Sequence, residues 1–329
     1  CERRNAQYDF LCGIAARNEQ QTAALFRNND SAVVLVDMLE RNNIPYRLKG
    51  GEKTFFTSRP VLDITEIIRF INNPYDIDSF MAIYYKIGLY ITRQTAEAAC
   101  KISSQKHITI TDALLGIDTG TQISVNSKRN IQQTAQLMRQ AQSSSATEVL
   151  SIILHGMQYA DYAHKNGLDE NKYDILRMLA RNVNSSAELI DRLSELSGIM
   201  AEHKDDSFSK FTLSTVHSSK GLEYDCVYLL DVIDDVLPCI TKDKLNDKED
   251  IKQYEEERRL FYVAVTRARK ELYLFSCKGE SSEFLDEIEK NLPIEYTDSN
   301  DIFFSLFARD MLGRVYCDGK NGRGIIIAC

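Results

Sequence analysis

The stretch Phe211 to Asp231 reads F-T-L-S-T-V-H-S-S-K-G-L-E-Y-D-C-V-Y-L-L-D. Its two ends, Phe211 to Thr215 and Cys226 to Asp231, have the composition of strands, and the second is nearly all apolar. A strand covered on both faces, as at the centre of a parallel sheet, needs such a run and not an alternation. Between the two lies a polar loop with a His, two Ser, a Lys and a Gly. A loop of this kind at the carboxyl edge of a parallel sheet is where open α/β folds bind ligands. Hydroxyls, imidazole and backbone N–H groups there can hold phosphate oxygens, and Gly221 permits close backbone approach. Read singly, Lys220 and Glu223 would be loop charges and His217 a satisfied polar residue.

The pattern continues on both sides. Thr22 to Phe26 reads as a short buried strand, and Asp30 or Ser31 can cap a helix from Ala32 to about Arg41. Ile44 to Leu48 reads as another strand, Gly50-Gly51 as a turn. A helix beginning near Pro60, with Ser58 as its cap, carries Ile64, Ile67, Ile68 and Ile71 on one face. Strand-helix-strand-helix order implies a parallel sheet. Downstream, Tyr254 to Thr266 is helical and Glu271 to Ser276 is the next strand. Between about Asp78 and Ser207 helical periodicity takes over. There Ser185-Ser186-Ala187-Glu188 is a capping box ahead of Leu189, Leu193, Leu196 and Met200. The expected organisation is therefore an α/β domain in two parts, 1–77 and 208–290, split by an inserted helical domain at 78–207. Residues 291–329 form a linker and a β tail, in which Gly319 to Gly322 is a hairpin turn and not a phosphate loop.

Composition excludes several function classes. The chain has 329 residues, 43% hydrophobic and 27% charged, as in a soluble globular protein of two or three domains. No apolar run approaches the roughly 18 residues that span a bilayer. Eight cysteines are spread singly with no metal-type spacing, which reads as reduced thiols in the cytoplasm and no metal site. The net charge of −8 rules out an overall cationic coat, so a nucleic-acid site would be a local groove. Much of the acid lies in Asp247 to Glu257, expected as a solvated face. The start, Cys1-Glu2-Arg3-Arg4-Asn5, has neither an apolar signal core nor an initiating Met and reads as a cut inside a longer protein.

Thr215 to Glu223, T-V-H-S-S-K-G-L-E, is followed 44 residues after Glu223 by Arg267 within V-A-V-T-R-A. The pair resembles motifs V and VI of the superfamily 1 DNA helicases of the UvrD/PcrA/Rep group. Further segments continue the resemblance in order. Phe26-Arg27-Asn28-Asn29, Pro45-Tyr46-Arg47 and Phe55-Phe56 follow the family pattern after motif IV. Lys86 to Tyr90 falls at the family's Gly-Ile-Gly turn with one Gly remaining, and the end of the chain resembles the start of a Tudor-like barrel. The resemblance implies a second RecA-like motor domain, split by a helical insertion, with ATP and Mg²⁺ as cofactors.

Residue by residue, it implies that Arg267 is the arginine finger, a fixed fork meeting the charge that develops on a transferring phosphoryl group. Glu223 would hold the ribose, with Gly221 and Lys220 near the phosphates. Thr215 and His217 would touch single-stranded DNA, with Arg27 and Asn29 across the same surface. The family's base-stacking aromatic after motif VI has no counterpart, since Ser276 to Glu283 contains no aromatic residue. No G-x-x-x-x-G-K-[ST] occurs, and Leu229 to Asp235 only imitates a Walker B strand. ATP hydrolysis would therefore need an N-terminal RecA-like domain, and this chain alone is expected to be inactive. The full protein would move 3′ to 5′ on single-stranded and junction DNA, with a protein partner possible at the tail. Two alternatives stay open: the helicase subunit of a recombination helicase–nuclease, and a DNA- or partner-binding module without motor function. An arginine finger, which a pure binder does not need, argues against the latter.

Overall fold

The computed structural model describes residues 2–116, 124–202, 209–276 and 282–291, and the backbone of strands at 295–298, 314–318 and 322–328. It divides into two compact units, 1–53 with 198–329, and 54–197.

The first unit opens with α1 (Glu2–Ala16), β1 (Thr22–Phe26), α2 (Asp30–Arg41) and β2 (Arg47–Lys49). All five residues of β1 are buried, as its uninterrupted apolar run requires. The strand expected from Ile44 starts three residues later. Asn43 takes a left-handed φ of 52° and the Ile44 N–H closes the end of α2 on the Leu39 carbonyl, so Ile44 and Pro45 belong to the helix exit. Asn29, not Asp30 or Ser31, occupies the cap position of α2, and its side chain makes no capping bond.

The second unit is helical: α3 (Thr54–Thr57), α4 (Arg59–Asn72), α5 (Ile77–Ile83), α6 (Arg93–Lys106), α7 (Ile110–Gly116), α8 (Val125–Ala141), α9 (Ala146–Ser151), a π-helical turn (Ile152–Gly156), α10 (Tyr159–Lys165), α11 (Asn171–Ala180) and α12 (Ser186–Ala201), whose last residues fall in the first unit. Here the expected boundary at 77/78 gives way to 53/54. The isoleucine face of α4 is buried, and α4 packs on α5, α8 and α11 instead of covering a strand. The other boundary moves from 207/208 to 197/198. Ser58 stands at the cap of α4 in extended conformation, but its hydroxyl donates to the Phe55 carbonyl at 2.6 Å. In the 185–188 box the Glu188 N–H donates to Ser185 Oγ at 3.2 Å, while the Glu188 carboxylate accepts from the Asn184 N–H at 2.9 Å. Leu189, Leu193, Leu196 and Met200 are all buried.

One polar cluster lies inside this unit. Lys86 Nζ donates to Asp63 Oδ1 at 2.7 Å and the Tyr159 hydroxyl donates to Asp63 Oδ2 at 3.0 Å. All three residues are buried, and burial beside the Asp63 carboxylate drives the Tyr159 hydroxyl far above its ordinary pKa.

The chain then returns to the first unit with β3 (Phe211–Thr215), β4 (Tyr224–Leu229), a short 3₁₀ turn (Lys242–Lys244), α13 (Lys248–Val265), β5 (Ala268–Phe275), α14 (Glu283–Asn291), β6 (Glu295–Asp298), β7 (Arg314–Asp318) and β8 (Gly322–Ala328). The sheet order is β2-β3-β1-β4-β5-β8-β7-β6. The first five strands are mutually parallel, as a RecA-like sheet requires. The C-terminal hairpin is antiparallel, β7 to β8, and β8 also lies antiparallel to β5, so it continues the sheet. Its turn residues 319–321 lie outside the described residues.

Helix α13 starts six residues before the expected Tyr254, because the Asp247 side chain accepts from the N–H groups of Glu249 and Asp250. Its face is not wholly solvated as expected, since Tyr254 and Glu257 are buried. Asp231, part of the Walker B imitation, has a left-handed φ of 51° just past β4 and accepts from Gln7 Nε2 at 2.6 Å, tying α1 to the sheet. No helix among the described residues is long and apolar enough to cross a membrane.

Candidate functional site

The loop after β3 is built by its own side chains. The Thr215 hydroxyl accepts from the Ser218 N–H at 3.1 Å and donates to Ser218 Oγ at 2.9 Å. Buried Ser219 donates to the Val216 carbonyl at 2.7 Å. Backbone bonds from Ser219 to Thr215, Lys220 to His217 and Leu222 to Ser219 then wind the segment into a compact turn. Gly221 follows with φ of +83° and no atom within 4 Å of the position a Cβ would take, so this exit is glycine's and its outer side is open. His217, Lys220, Gly221 and Glu223 are exposed, whereas Thr215 is buried and acts as the internal brace.

The Gly50-Gly51 turn closes one flank. Gly50 has φ of +72°, and a Cβ there would lie 2.1 Å from Ser218 Oγ. The bare backbone of Gly50 is what lets the turn lie against the brace.

Arg267 reaches the same loop from the other side. It immediately follows the C-cap residue of α13 and precedes β5, which pairs with β4. Its carbonyl accepts from the Tyr224 N–H at 2.9 Å. Its guanidinium donates from Nη1 to the Leu222 carbonyl at 3.1 Å, from Nε to the Val263 carbonyl at 2.8 Å and from Nη2 to Thr266 Oγ1 at 3.0 Å. Three of the fork's five N–H groups are thus used to hold it in place, and the other two make no hydrogen bond among the described residues, so they can meet a ligand. The structure brings Arg267 onto the backbone between Gly221 and Glu223. Glu223 in turn pairs with Arg269, Nε to Oε2 at 3.0 Å, a partner that the sequence motifs do not point to.

This set suits a nucleotide polyphosphate. A half-buried guanidinium can meet phosphoryl charge, an exposed carboxylate can accept from ribose hydroxyls, and a side-chain-free turn admits phosphate oxygens to the backbone. Among the described residues no three His, Cys, Asp or Glu converge to hold a metal ion.

Arg27 and Asn29 lie at the end of β1, next to β3. Phe26 is in register with Thr215, and the Val216 N–H donates to the Phe26 carbonyl at 2.9 Å. Neither side chain is simply presented to solvent. Arg27 forms a two-pronged ion pair with Glu257 of α13, with Nη2 to Oε1 at 2.6 Å. Hydrogen bonding to that carboxylate raises its pKa further. Asn29 is only 4% exposed, and its side-chain oxygen has no hydrogen-bond partner among the described residues. Of the four residues assigned to a DNA strand, His217 is exposed, Arg27 partly so, and Thr215 and Asn29 are buried. Sequence reasoning misses Glu257. It ends a run of three glutamates that reads as surface, and only its helical register distinguishes it from Glu255 and Glu256.

Comparison with known proteins bears on the same segments. Residues 8–279 match the UvrD-like helicase C-terminal domain. The chain belongs to that family. Similar UvrD-like proteins include the ATP-dependent DNA helicase PcrA of Staphylococcus epidermidis RP62A, 27% identical over 309 residues, covering 86% of this chain and 41% of the relative. The enzyme of the same name from Staphylococcus aureus Mu50 is 26% identical over 299 residues, covering 83% and 40%. The chain thus spans about two-fifths of the length of the curated relatives it matches.

Proposed function

We propose that this UvrD-like chain is the C-terminal motor half of an ATP-dependent DNA helicase that translocates 3′ to 5′ on single-stranded DNA and unwinds duplex in the cytoplasm. The parallel-sheet unit is the second RecA-like domain, and the helical unit is its insertion, touching junction DNA. The observation that carries the reading is the hydrogen bond from the Arg267 guanidinium to the Leu222 carbonyl, which joins the two motifs through residues 45 apart in the chain. An arginine fixed by three backbone and hydroxyl oxygens, and not by a carboxylate, keeps its charge available to an anionic ligand.

Bound ATP with Mg²⁺ would supply the phosphoryl group whose transfer drives the motor. On this chain, Arg267 would face the developing charge, Glu223 would orient the ribose, and Gly221 and Lys220 would line the phosphate side. The phosphate cradle, the metal ligands and the attacking water would come from an N-terminal RecA-like domain, so the isolated chain neither hydrolyses ATP nor unwinds DNA. His217 and Arg27, with the Thr215 brace behind them, would face the translocated strand. A protein partner at the tail belongs to the same proposal.

The test is DNA-stimulated ATPase of the full-length protein, with and without Arg267→Ala. Arginine fingers supply roughly 10³ to 10⁵ in rate. A loss of that order with the fold intact supports the motor. An active protein indifferent to the substitution overturns the finger role of Arg267, and a full-length protein without DNA-stimulated ATPase overturns the motor.

A further inference from the structure

The Arg27–Glu257 pair is more specific than a chance surface contact. Glu257 Oε1 accepts from Arg27 Nη2 at 2.6 Å and from Nε at 3.0 Å, and Oε2 accepts from Nε at 3.0 Å. The same carboxylate accepts from the Cys239 N–H at 3.3 Å, which ties down the segment leading to α13. The Glu257 side chain is 4% exposed and that of Arg27 is 26% exposed. The acid is therefore buried, while the base, which also meets the Cys239 side chain, stays partly exposed.

We propose that Glu257 is a positioning residue for Arg27, gripping the Nε–Nη2 edge of the guanidinium so that its Nη1 side faces a phosphate of the DNA strand. The proposal rests on the helicase reading above and deepens it. A planar fork can be clamped on one edge and still donate from the other, which an ammonium cannot do. An unclamped arginine would sample many rotamers, and the entropy lost on ordering it would weaken each phosphate contact. The clamp also connects two parts of the site. Arg27 follows β1, whose last residue is in register with Thr215, while Glu257 lies on the helix that leads to Arg267. The sequence cannot show this link, because Glu257 stands beside two glutamates that face solvent.

Two roles for Glu257 predict opposite results. If it only masks the charge of Arg27, Glu257→Gln strengthens DNA binding and steepens its salt dependence. If it positions Arg27, the same change weakens binding and flattens the salt dependence by the contribution of about one phosphate contact.

The experiment measures ATPase of the full-length protein against the concentration of oligo(dT) at several salt concentrations. For Glu257→Gln we expect the oligo(dT) concentration giving half-maximal stimulation to rise about tenfold, with a smaller change in the rate at saturation. In an Arg27→Ala background the same substitution should add nothing, since Glu257 acts through Arg27. Arg27→Lys, which keeps charge and loses the fork, should resemble Arg27→Ala. Tighter binding by Glu257→Gln, an equal effect without Arg27, or full function of the Arg27→Lys protein would each overturn the proposal. Should Glu257→Gln fold poorly by thermal melting, the Arg27→Lys comparison decides alone. A wild-type protein with no DNA-stimulated ATPase would instead overturn the helicase reading itself.

Discussion

Gly50→Ala tests the packing that holds the loop after β3. Two costs act on this one methyl group. The first is conformational: φ is +72°, and an L-residue in that region is strained by roughly 1–2 kcal/mol. The second is steric, because the new Cβ would sit 2.1 Å from Ser218 Oγ and 2.9 Å from Ser218 Cβ. Ser218 cannot turn away freely, since its hydroxyl and N–H both bond to Thr215 Oγ1. Overpacking of this kind costs about 1–3 kcal/mol. The sum is about 2–5 kcal/mol, which lowers the melting temperature of a unit this size by roughly 5–15 °C. Circular dichroism melts of the chain measure it. Two controls separate the terms. Gly221 has φ of +83° with no atom within 4 Å of its would-be Cβ, so Gly221→Ala should show the conformational cost alone. Adding Ser218→Gly to Gly50→Ala should recover the steric part and leave the conformational part. A Gly50→Ala protein melting within about 1 °C of wild type, far below the conformational strain alone, would refute the argument. So would a Ser218→Gly partner that recovers nothing.

Other outcomes follow from the ion pairs. The Glu287 carboxylate, hydrogen-bonded first by Arg258 and then by Lys242, has its pKa lowered from 4.5 to about 2. A depressed folded-state pKa contributes stability above about pH 4.5 that is lost as the pH falls towards 2. Glu287→Gln should therefore cost about 1 kcal/mol at neutral pH after allowance for solvent screening, and the difference from wild type should vanish across that acid window in urea titrations. In the helical unit, Lys86→Met leaves the buried Asp63 carboxylate, among the described residues, with the Tyr159 hydroxyl and a distant Arg59 at 3.9 Å. It should destabilise by about 3–5 kcal/mol, while Lys86→Met combined with Asp63→Leu should recover much of that in the same unfolding assay.

Particular residues show why much of the fold is legible in the chain. Thr22 to Phe26 and Cys226 to Leu229 are short, mostly apolar runs, and a sheet covered on both faces accepts little else. Their loops carry the polar groups, so strand, edge and site are read together. Boundaries are less legible because they depend on partners distant in sequence. The isoleucine stripe of α4 fits a sheet or a helix bundle equally well. The helices packed on it decide between them, and α5, α8 and α11 all come later in the chain. A boundary at 77/78 ignores those partners. Ile44 reads as strand for a similar reason, since its β-branched side chain says nothing about the Asn43 turn before it.

The site divides along the same line. Arg267 and the 215–223 loop are joined through backbone groups, by Tyr224 to Arg267 and Arg267 to Leu222. Backbone contacts of this kind follow once β4 and β5 are known to pair, so strand assignment carries the site with it. Arg27 and Asn29 depend on side-chain partners instead. Whether an arginine after a strand faces solvent turns on what the opposite helix offers, and here α13 offers Glu257, set in a run of like residues. A helix repeats every 3.6 residues, so of three consecutive glutamates one can face inward while its neighbours stay in water. Composition assigns all three to the surface, and the net charge of −8 strengthens that misreading. The buried glutamate that pairs with Arg27 is then the one whose neighbours conceal it. Charge at a nucleic-acid surface is therefore judged pair by pair. An acidic chain can still present a cation to a phosphate when the matching acid is buried behind that cation and not beside it.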